Sequence, residues 1–240
     1  LDPTFLVSKQ DAEMWICKNN PKIVEYHRSP VDHYMDPYPR KMYLDKTSIK
    51  RKVVDGFIFY NEIELLKYRL TILNDYVDYF IISEATHTHI GKEKPLNFEN
   101  NKHHFKEFLH KIIYVVVDDF PFKYPNCDID NGEQWKNEKF QRCAIKRGID
   151  QIELSPDDIL LINDLDEIPD PKMLMKVLAN EVEVTWNILE MDFYYYNLNT
   201  QLDHKWWQSK ILTYGEMCEK KLTCDEIRFG NWLPIIHKGG

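Results

Sequence analysis

The 240-residue chain has no apolar run long enough to cross a membrane, and no signal peptide opens it. It is therefore expected to be soluble as given. Its place is the cytoplasm, or the lumen of the secretory pathway if a membrane anchor was removed from a longer protein. The first residue is Leu1 rather than Met and the last four are His237-Lys238-Gly239-Gly240, so both ends read as cuts. Positive charge is not in excess: 31 Lys and Arg stand against 39 Asp and Glu, a formal charge of −8. This argues against a nucleic-acid binder, which carries a basic face, and leaves small anionic ligands open. The five cysteines, Cys17, Cys127, Cys143, Cys218 and Cys224, have no CxxC spacing, so a structural zinc site is not expected. Reduced thiols are the expectation, with a Cys218–Cys224 disulfide left open. Internal repeats and low-complexity segments are absent as well.

Hydrophobic residues make up 43% of the chain and aromatic residues 13%, enough to fill the core of one large domain or two small ones. Residues 1–50 show little periodicity. Their stretch "SPVDHYMDPYPRKMYLDK" is rich in proline, which favours extended backbone, and reads as an N-terminal arm or extension. Residues 51–240 read as the main domain. "VVDGFIFY" is a β-branched and aromatic strand. "NEIELLKYRLTILND" is a helix with Ile63, Leu66, Leu70 and Leu73 at helical spacing and Asn61 as its cap. "VDYFIISEA", "IIYVVVDDF" and "DILLIND" are further strands. "NKHHFKEFLHK" is a short helix between them. "EQWKNEKFQRCAIKRGIDQI" is a long one, with Trp135, Phe140, Ala144 and Ile145 on its buried side. "PKMLMKVLAN" is a helix that uses Pro171 in its first turn. The alternation predicts an α/β fold, a mostly parallel, twisted, doubly wound sheet flanked by helices. After residue 181, "VEVTWNILEMDFYYYNLN" and "KILTYG" read as strands joined by loops, an antiparallel C-terminal addition that covers the site.

In such sheets ligands bind beyond the carboxyl ends of the strands. Ser83-Glu84, Asp118-Asp119 and Asn163-Asp164 all fall there. The last pair opens a run that carries Asp164, Asp166, Glu167 and Asp170 out of a buried strand. Asp164-X-Asp166 in extended backbone puts two carboxylates on one side. Left alone they repel, and one tends to hold its proton. A hard divalent ion, Mn²⁺ or Mg²⁺, removes that repulsion and keeps open positions for substrate phosphates. The other reading is a solvated turn that caps the helix at Pro171.

"GFIFYNEIELLKYRL", "VDYFIISEATHTHIGKEKPL", "WKNEKFQRCAIKRGI" and "DDILLINDLDEIPDP", in this order and spacing, resemble glycosyltransferase family 17. This is the family of the bisecting β-1,4-mannosyl-glycoprotein N-acetylglucosaminyltransferases. The likeness covers roughly residues 53–200, and residues 1–50 show none. It implies a glycosyltransferase A type fold and an inverting transfer from a UDP-sugar donor to a hydroxyl of a glycan or glycoprotein acceptor. The transfer would be metal-dependent through the Asp-X-Asp motif. Asp164 and Asp166 are then the metal residues. In this fold the second Asp usually ligates the ion, and the first reaches the ribose or acts through water. Glu167 and Pro169 shape the turn. Members commonly continue past a glycine pair, so the resemblance implies a C-terminal truncation, with the remaining metal ligand beyond Gly240 or at His237.

Other positions carry two readings each. Glu62 lies beside the expected uridine pocket, or simply favours its helix N-terminus. Arg69 reaches the same edge, or is a surface arginine. Glu84 contacts the nucleotide, as acids at that strand end do in this fold. Lys92, with Gly91 and Lys94, forms a basic loop over the diphosphate, or a solvated loop. His87 and His89 bind metal or are plain loop residues. Arg142 matches a family motif and would pair with the diphosphate or with Asp164, and Asn163 joins the donor side. Trp135 stacks on a sugar or packs in the core, with the core preferred. Tyr195, within "YYYNLN", and the pair Trp206 and Trp207 suit the acceptor side. The base for the acceptor hydroxyl is Asp192, with Glu226 as the other candidate. Two other classes compete: a two-metal phosphoester hydrolase or nucleotidyl transferase drawing on Asp118-Asp119, and a non-catalytic UDP-sugar-binding module.

Overall fold

The computed structural model describes residues 51–195 and 199–240. The expected N-terminal arm, Cys17 and residues 196–198 of "YYYNLN" lie outside them. Strand β1 (Val53–Phe59) is apolar enough to be buried along almost its whole length. Helix α1 (Ile63–Leu73) turns Leu66, Arg69, Leu70 and Leu73 inward, so an arginine sits within its apolar stripe. Asn61 is not its cap. The cap position is Glu62, whose carboxylate accepts the backbone N–H of Tyr60 (3.2 Å) and Asn61 (2.9 Å).

Strand β2 (Tyr79–Ala85) follows, then helix α2 (Asn97–Asn101). The expected helix over "NKHHFKEFLHK" is instead a run of 3-10 turns, Lys102–Phe105 and Leu109–Lys111. Strand β3 is Ile112–Val117. The long helix expected next is broken at Ala144 into α3 (Glu133–Cys143) and α4 (Ile145–Ile149). Trp135 is 66% exposed rather than packed, while Ala144 and Ile145 are buried as the pattern requires. Strand β4 (Ile159–Ile162) leads into the acid turn. Helix α5 (Pro171–Leu178) then starts with Pro171, capped by Asp170, whose side chain accepts the Lys172 N–H at 2.8 Å.

The C-terminal part is β5 (Trp186–Leu189), β6 (Lys210–Thr213), helices α6 (Tyr214–Glu219) and α7 (Cys224–Phe229), and β7 (Ile235–Ile236). The two short helices are a correction to the expectation of strands and loops. All the strands form one mixed sheet in the order β3-β2-β1-β4-β6-β5-β7. β1 to β4 pair in parallel, and β6 runs antiparallel to both β4 and β5. β7 is parallel to β5, so only β6 breaks the common direction. The sheet carries a hydrophobic cluster on each face. One is filled by side chains of α1 and α5, such as Leu66, Leu70, Met173 and Leu174. The other is filled by α4, α6 and α7 through Ile145, Met217 and Ile227.

Helix α4 lies unusually close to the sheet. A Cβ at Gly148 would come within 2.5 Å of Ile81 Cγ2, and one at Gly56 within 2.6 Å of Ile145 Cγ2. The chain order reverses between β1 and β4, and that switch point opens a crevice beyond the carboxyl ends of the strands.

Candidate active site at the turn after strand β4

The turn Asn163–Glu167 is built from below by one buried arginine. Arg69 of α1 forms a side-on pair with Asp55 of β1, Nε to Oδ2 at 2.8 Å and Nη2 to Oδ1 at 2.7 Å. Both side chains are fully buried. Its Nη1 donates to the carbonyls of Asp164 (3.1 Å), Leu165 (2.9 Å) and Glu167 (2.9 Å). Arg69 is therefore a strut for the turn, and its guanidinium is not presented to a ligand at the surface. Asn163 is similarly inward: its Oδ1 accepts from Ser209 Oγ (2.9 Å) and the Lys210 N–H (2.7 Å), tying β4 to β6.

Above this base the acids have different fates. Asp164 lies between two guanidiniums, with Arg228 Nη2 at 3.0 Å from Oδ2 and Arg142 Nη2 at 3.5 Å from Oδ1. Burial alone would raise its carboxyl, but the charges of Arg228 and Arg142 outweigh it and hold the group below the usual range. Its Oδ1 is buried and receives no hydrogen bond. Glu167 is 5% exposed and accepts from the Asp164 N–H at 2.9 Å, from Arg228 Nη2 at 2.5 Å and from Trp206 Nε1. Burial pushes its carboxyl up, and Arg228 pulls it back only in part. Among the described residues, Asp166 makes no ion pair. Although solvent reaches it, the surrounding chain partly desolvates it, and this together with the charge of Asp164 pushes its carboxyl up.

Arg228 is the residue that sequence reasoning missed. It comes from α7, where Thr223 and Glu226 form a reciprocal capping box, Thr223 Oγ1 accepting the Glu226 N–H and Glu226 Oε2 accepting the Thr223 N–H. That box was readable as Thr-x-x-Glu. It would have placed Asp225 and Arg228 one turn apart on a helix. Asp225 holds Arg142 Nη1 at 2.9 Å, and Glu138 holds Arg142 Nη2 at 2.7 Å. The expected pairing of Arg142 with Asp164 is present. Glu226, the other candidate base, is engaged in the cap through its Oε2. Lys210 of β6 is fully buried with its Nζ on the Trp207 carbonyl at 2.7 Å. Burial and the charge of Arg228 push its ammonium down to about 8.

A cavity of about 340 Å³ lies at the carboxyl ends of β1 and β2, lined by Tyr60, Glu62, His87, His89, Lys94 and Gln141 among others. Glu62 thus sits on the wall, besides organising its helix start. His89 Nε2 meets Gln141 Oε1 at 3.0 Å. Glu84, expected on the donor side, is fully buried and satisfied. It accepts from Lys94 Nζ (3.0 Å), the N–H groups of Asn97 (2.5 Å) and Phe98 (3.0 Å), and Tyr114 Oη (2.8 Å). It anchors the start of α2. Lys92 lies over the Tyr124 ring, 5.3 Å from its centre, and is not a wall of the cavity.

On the other side of the turn, Trp206 is not an exposed platform. It is partly buried, bonded to Glu167 and packed on Phe193 at 4.9 Å. Trp207 (52%) and Tyr195 (52%) are exposed. Asp192 is exposed and paired with Lys205. Asp119 forms a surface pair with Arg147, and His237 Nδ1 faces Glu190 Oε1 at 3.1 Å. Cys127, Cys143, Cys218 and Cys224 are free thiols, so the Cys218–Cys224 bond left open is not formed.

Among the described residues, no group of three or more His, Cys, Asp or Glu converges as a metal cage. What the turn offers is smaller: the exposed carboxylate of Asp166, and Asp164 Oδ1, which has no hydrogen bond but lies 3.5 Å from Arg142 Nη2. Both are hard oxygen donors. They fit a divalent ion that takes its remaining ligands from phosphates and water, and they are too few for a two-ion centre.

The family model described as Glycosyltransferase family 17 matches residues 14–226. The match starts well inside the segment for which no likeness was expected. The chain is 29% identical over 155 residues to the β-1,4-mannosyl-glycoprotein 4-β-N-acetylglucosaminyltransferases of Rattus norvegicus and Homo sapiens. The Mus musculus protein of that name is 28% identical over the same length. These alignments cover 62% of this chain and 26% of each relative, so the chain spans about a quarter of the length of the curated relatives it matches.

Proposed function

The chain belongs to glycosyltransferase family 17, and we propose that it moves a sugar from a UDP-sugar donor to a hydroxyl of a glycan or glycoprotein acceptor with inversion. The observation that carries this reading is the exposed Asp166, without an ion pair among the described residues, next to Asp164 at the switch point of a largely parallel sheet. The relatives' name makes N-acetylglucosamine the sugar of first choice.

The nucleoside would occupy the cavity beyond β1 and β2, whose volume suits a ligand of that size. Tyr60 and the imidazoles of His87 and His89 offer flat faces and polar edges there. Asp166 and Asp164 would hold Mn²⁺ or Mg²⁺, which when bound supplies charge neutralisation for the departing diphosphate. Arg69 keeps the turn in place from beneath. Arg142 and Arg228 fix Asp164 from its two oxygens. Asp192 is the base in this reading and takes the proton of the acceptor hydroxyl, and Trp207 and Tyr195 form the acceptor wall. The glycosyltransferase A type assignment is consistent with the mixed sheet flanked by helices.

The test is a thermal-shift titration with UDP in Mn²⁺ and in EDTA, since a ligand that binds the folded state raises its melting temperature by mass action. A shift with Mn²⁺ that largely disappears in EDTA supports the reading. Equal shifts in both, or none in either, reject it. Phosphodiester cleavage without glycosyl transfer would favour the hydrolase class instead.

A further inference from the structure

Between β5 and β6 the chain leaves the sheet as an antiparallel arm. Met191 pairs with Trp206 and Tyr194 with Gln201. The Met191 N–H donates to the Trp206 carbonyl (3.0 Å), the Trp206 N–H to the Met191 carbonyl (2.9 Å) and the Leu202 N–H to the Phe193 carbonyl (2.8 Å). The first residue of β6, Lys210, lies beside Ile162 at the end of β4, so the arm rises at the carboxyl edge next to the acid turn. Only its base is well packed: Met191 is buried in the core cluster and Trp206 packs against that cluster. Beyond them the Phe193 ring meets those of His204 (5.2 Å) and Trp206 (4.9 Å), while Tyr194 and Tyr195 are exposed. A two-stranded ribbon with so small a core is marginal by itself, so its direction is set by what its base is fastened to. Trp206 Nε1 donates to Oε1 of Glu167, the same oxygen that takes Arg228 Nη2 at 2.5 Å. An N–H on a buried carboxylate is a charge-assisted bond, stronger than one between neutral groups.

We propose that Trp206 is a positioning residue: its indole N–H clips the arm to Glu167 and so holds the acceptor wall, Tyr195 and Trp207, at a fixed place relative to the acid turn. The role of that wall rests on the glycosyltransferase reading, and the clip does not. An indole is needed here because one residue must do two things. Its apolar body packs on Phe193 and the core, and its polar edge reaches a buried carboxylate. Phenylalanine would satisfy the first demand alone. A second tie lies just beyond the arm, where Lys210 Nζ donates to the Trp207 carbonyl at 2.7 Å and leaves the Trp207 ring 52% exposed. Glu167 therefore joins three elements: the turn through the Asp164 N–H, α7 through Arg228 and the arm through Trp206.

The test is hydrogen exchange on the ligand-free chain, wild type against Trp206→Phe, which keeps an aromatic ring on Phe193 and removes the N–H. Exchange reads local opening. In wild type the Trp206 indole N–H should itself exchange slowly. In Trp206→Phe the amides of Tyr195 and Leu202 should exchange roughly tenfold faster, the effect of losing a hydrogen bond to a charged group, while those of Ile188 and Leu189 in β5 keep their rates. If Trp206→Phe melts too low to measure, the wild-type indole decides. In transfer to a mannosyl glycopeptide, Trp206→Phe should raise the KM of the acceptor several-fold and leave the KM of the UDP-sugar unchanged, a split that general destabilisation does not give. Fast exchange of the wild-type indole N–H, or arm amides unmoved by Trp206→Phe, would overturn the clip, and an equal rise in both KM values would overturn the positioning role. A wild type that fails to bind UDP with Mn²⁺ would reject the donor reading and leave the exchange result standing.

Discussion

Glu84 and Asp166 carry the same sign in the sequence, an acid just where a parallel strand ends, and the fold treats them in opposite ways. At the tip of β2 the chain turns back, and every oxygen of Glu84 is taken up by Lys94, Tyr114 and two backbone N–H groups at the start of α2. Beyond β4 the chain spends Glu167 and Asp164 on Arg228, Arg142 and Trp206, and leaves Asp166 without an ion pair among the described residues. An acid at a strand tip is therefore evidence for a site only when its charge is not consumed by the scaffold. The two turns share a means of support, a buried cation or donor set, and differ in what remains after it.

This contrast can be broken or sharpened by substitution. The largest loss of stability is expected for Arg69→Met. It strands the buried Asp55 carboxylate and three turn carbonyls, and should cost about 3–5 kcal/mol in urea unfolding. A loss under about 1 kcal/mol would mean that Arg69 is not the strut of the acid turn. Glu84→Gln comes next, at about 2–3 kcal/mol, because a buried charged acceptor of several hydrogen bonds becomes a neutral amide with misplaced N–H groups. Metal-dependent UDP binding by its folded fraction should be unchanged, and a selective loss of that binding would return Glu84 to the donor site. The smallest effect belongs to Asp119→Asn. Its pair with Arg147 is exposed and screened, so unfolding should shift by no more than about 0.2–1 kcal/mol. A larger shift would show that strand-tip acids act on stability whether or not they are buried.

How much of this was legible depends on where the information lies. Strands β1 to β4 were visible as β-branched and aromatic runs, and α1 and α5 by apolar spacing, because burial on a regular element writes itself into local sequence. The Asp-X-Asp turn was visible for the same reason: it interrupts an apolar run. Helices α6 and α7 were not seen, since each is six residues long and too short to show a period, although the Thr223–Glu226 box marked one start. Arg228 went unnoticed because its partners are 61 and 64 residues away. The roles of Arg69, Glu84 and Trp206 were misread toward ligand binding. Each is fixed by contacts across the fold, with Asp55 and the turn carbonyls, with α2, and with Glu167, that no local pattern records.

The central claim is that Asp166 is a site residue and not a turn residue. Its most direct test is one variant, Asp166→Asn, measured twice: for melting without metal, and for Mn²⁺-dependent UDP binding. The substitution keeps the shape and removes the charge. Relief of repulsion with Asp164 should hold the metal-free melting temperature or raise it slightly. UDP–Mn²⁺ affinity should fall by roughly two orders of magnitude, in line with the several kcal/mol a bound cation supplies. A metal-free protein destabilised by about 1–3 kcal/mol, with UDP–Mn²⁺ affinity intact in the folded fraction, would contradict the account and make Asp166 a structural acceptor like Glu84.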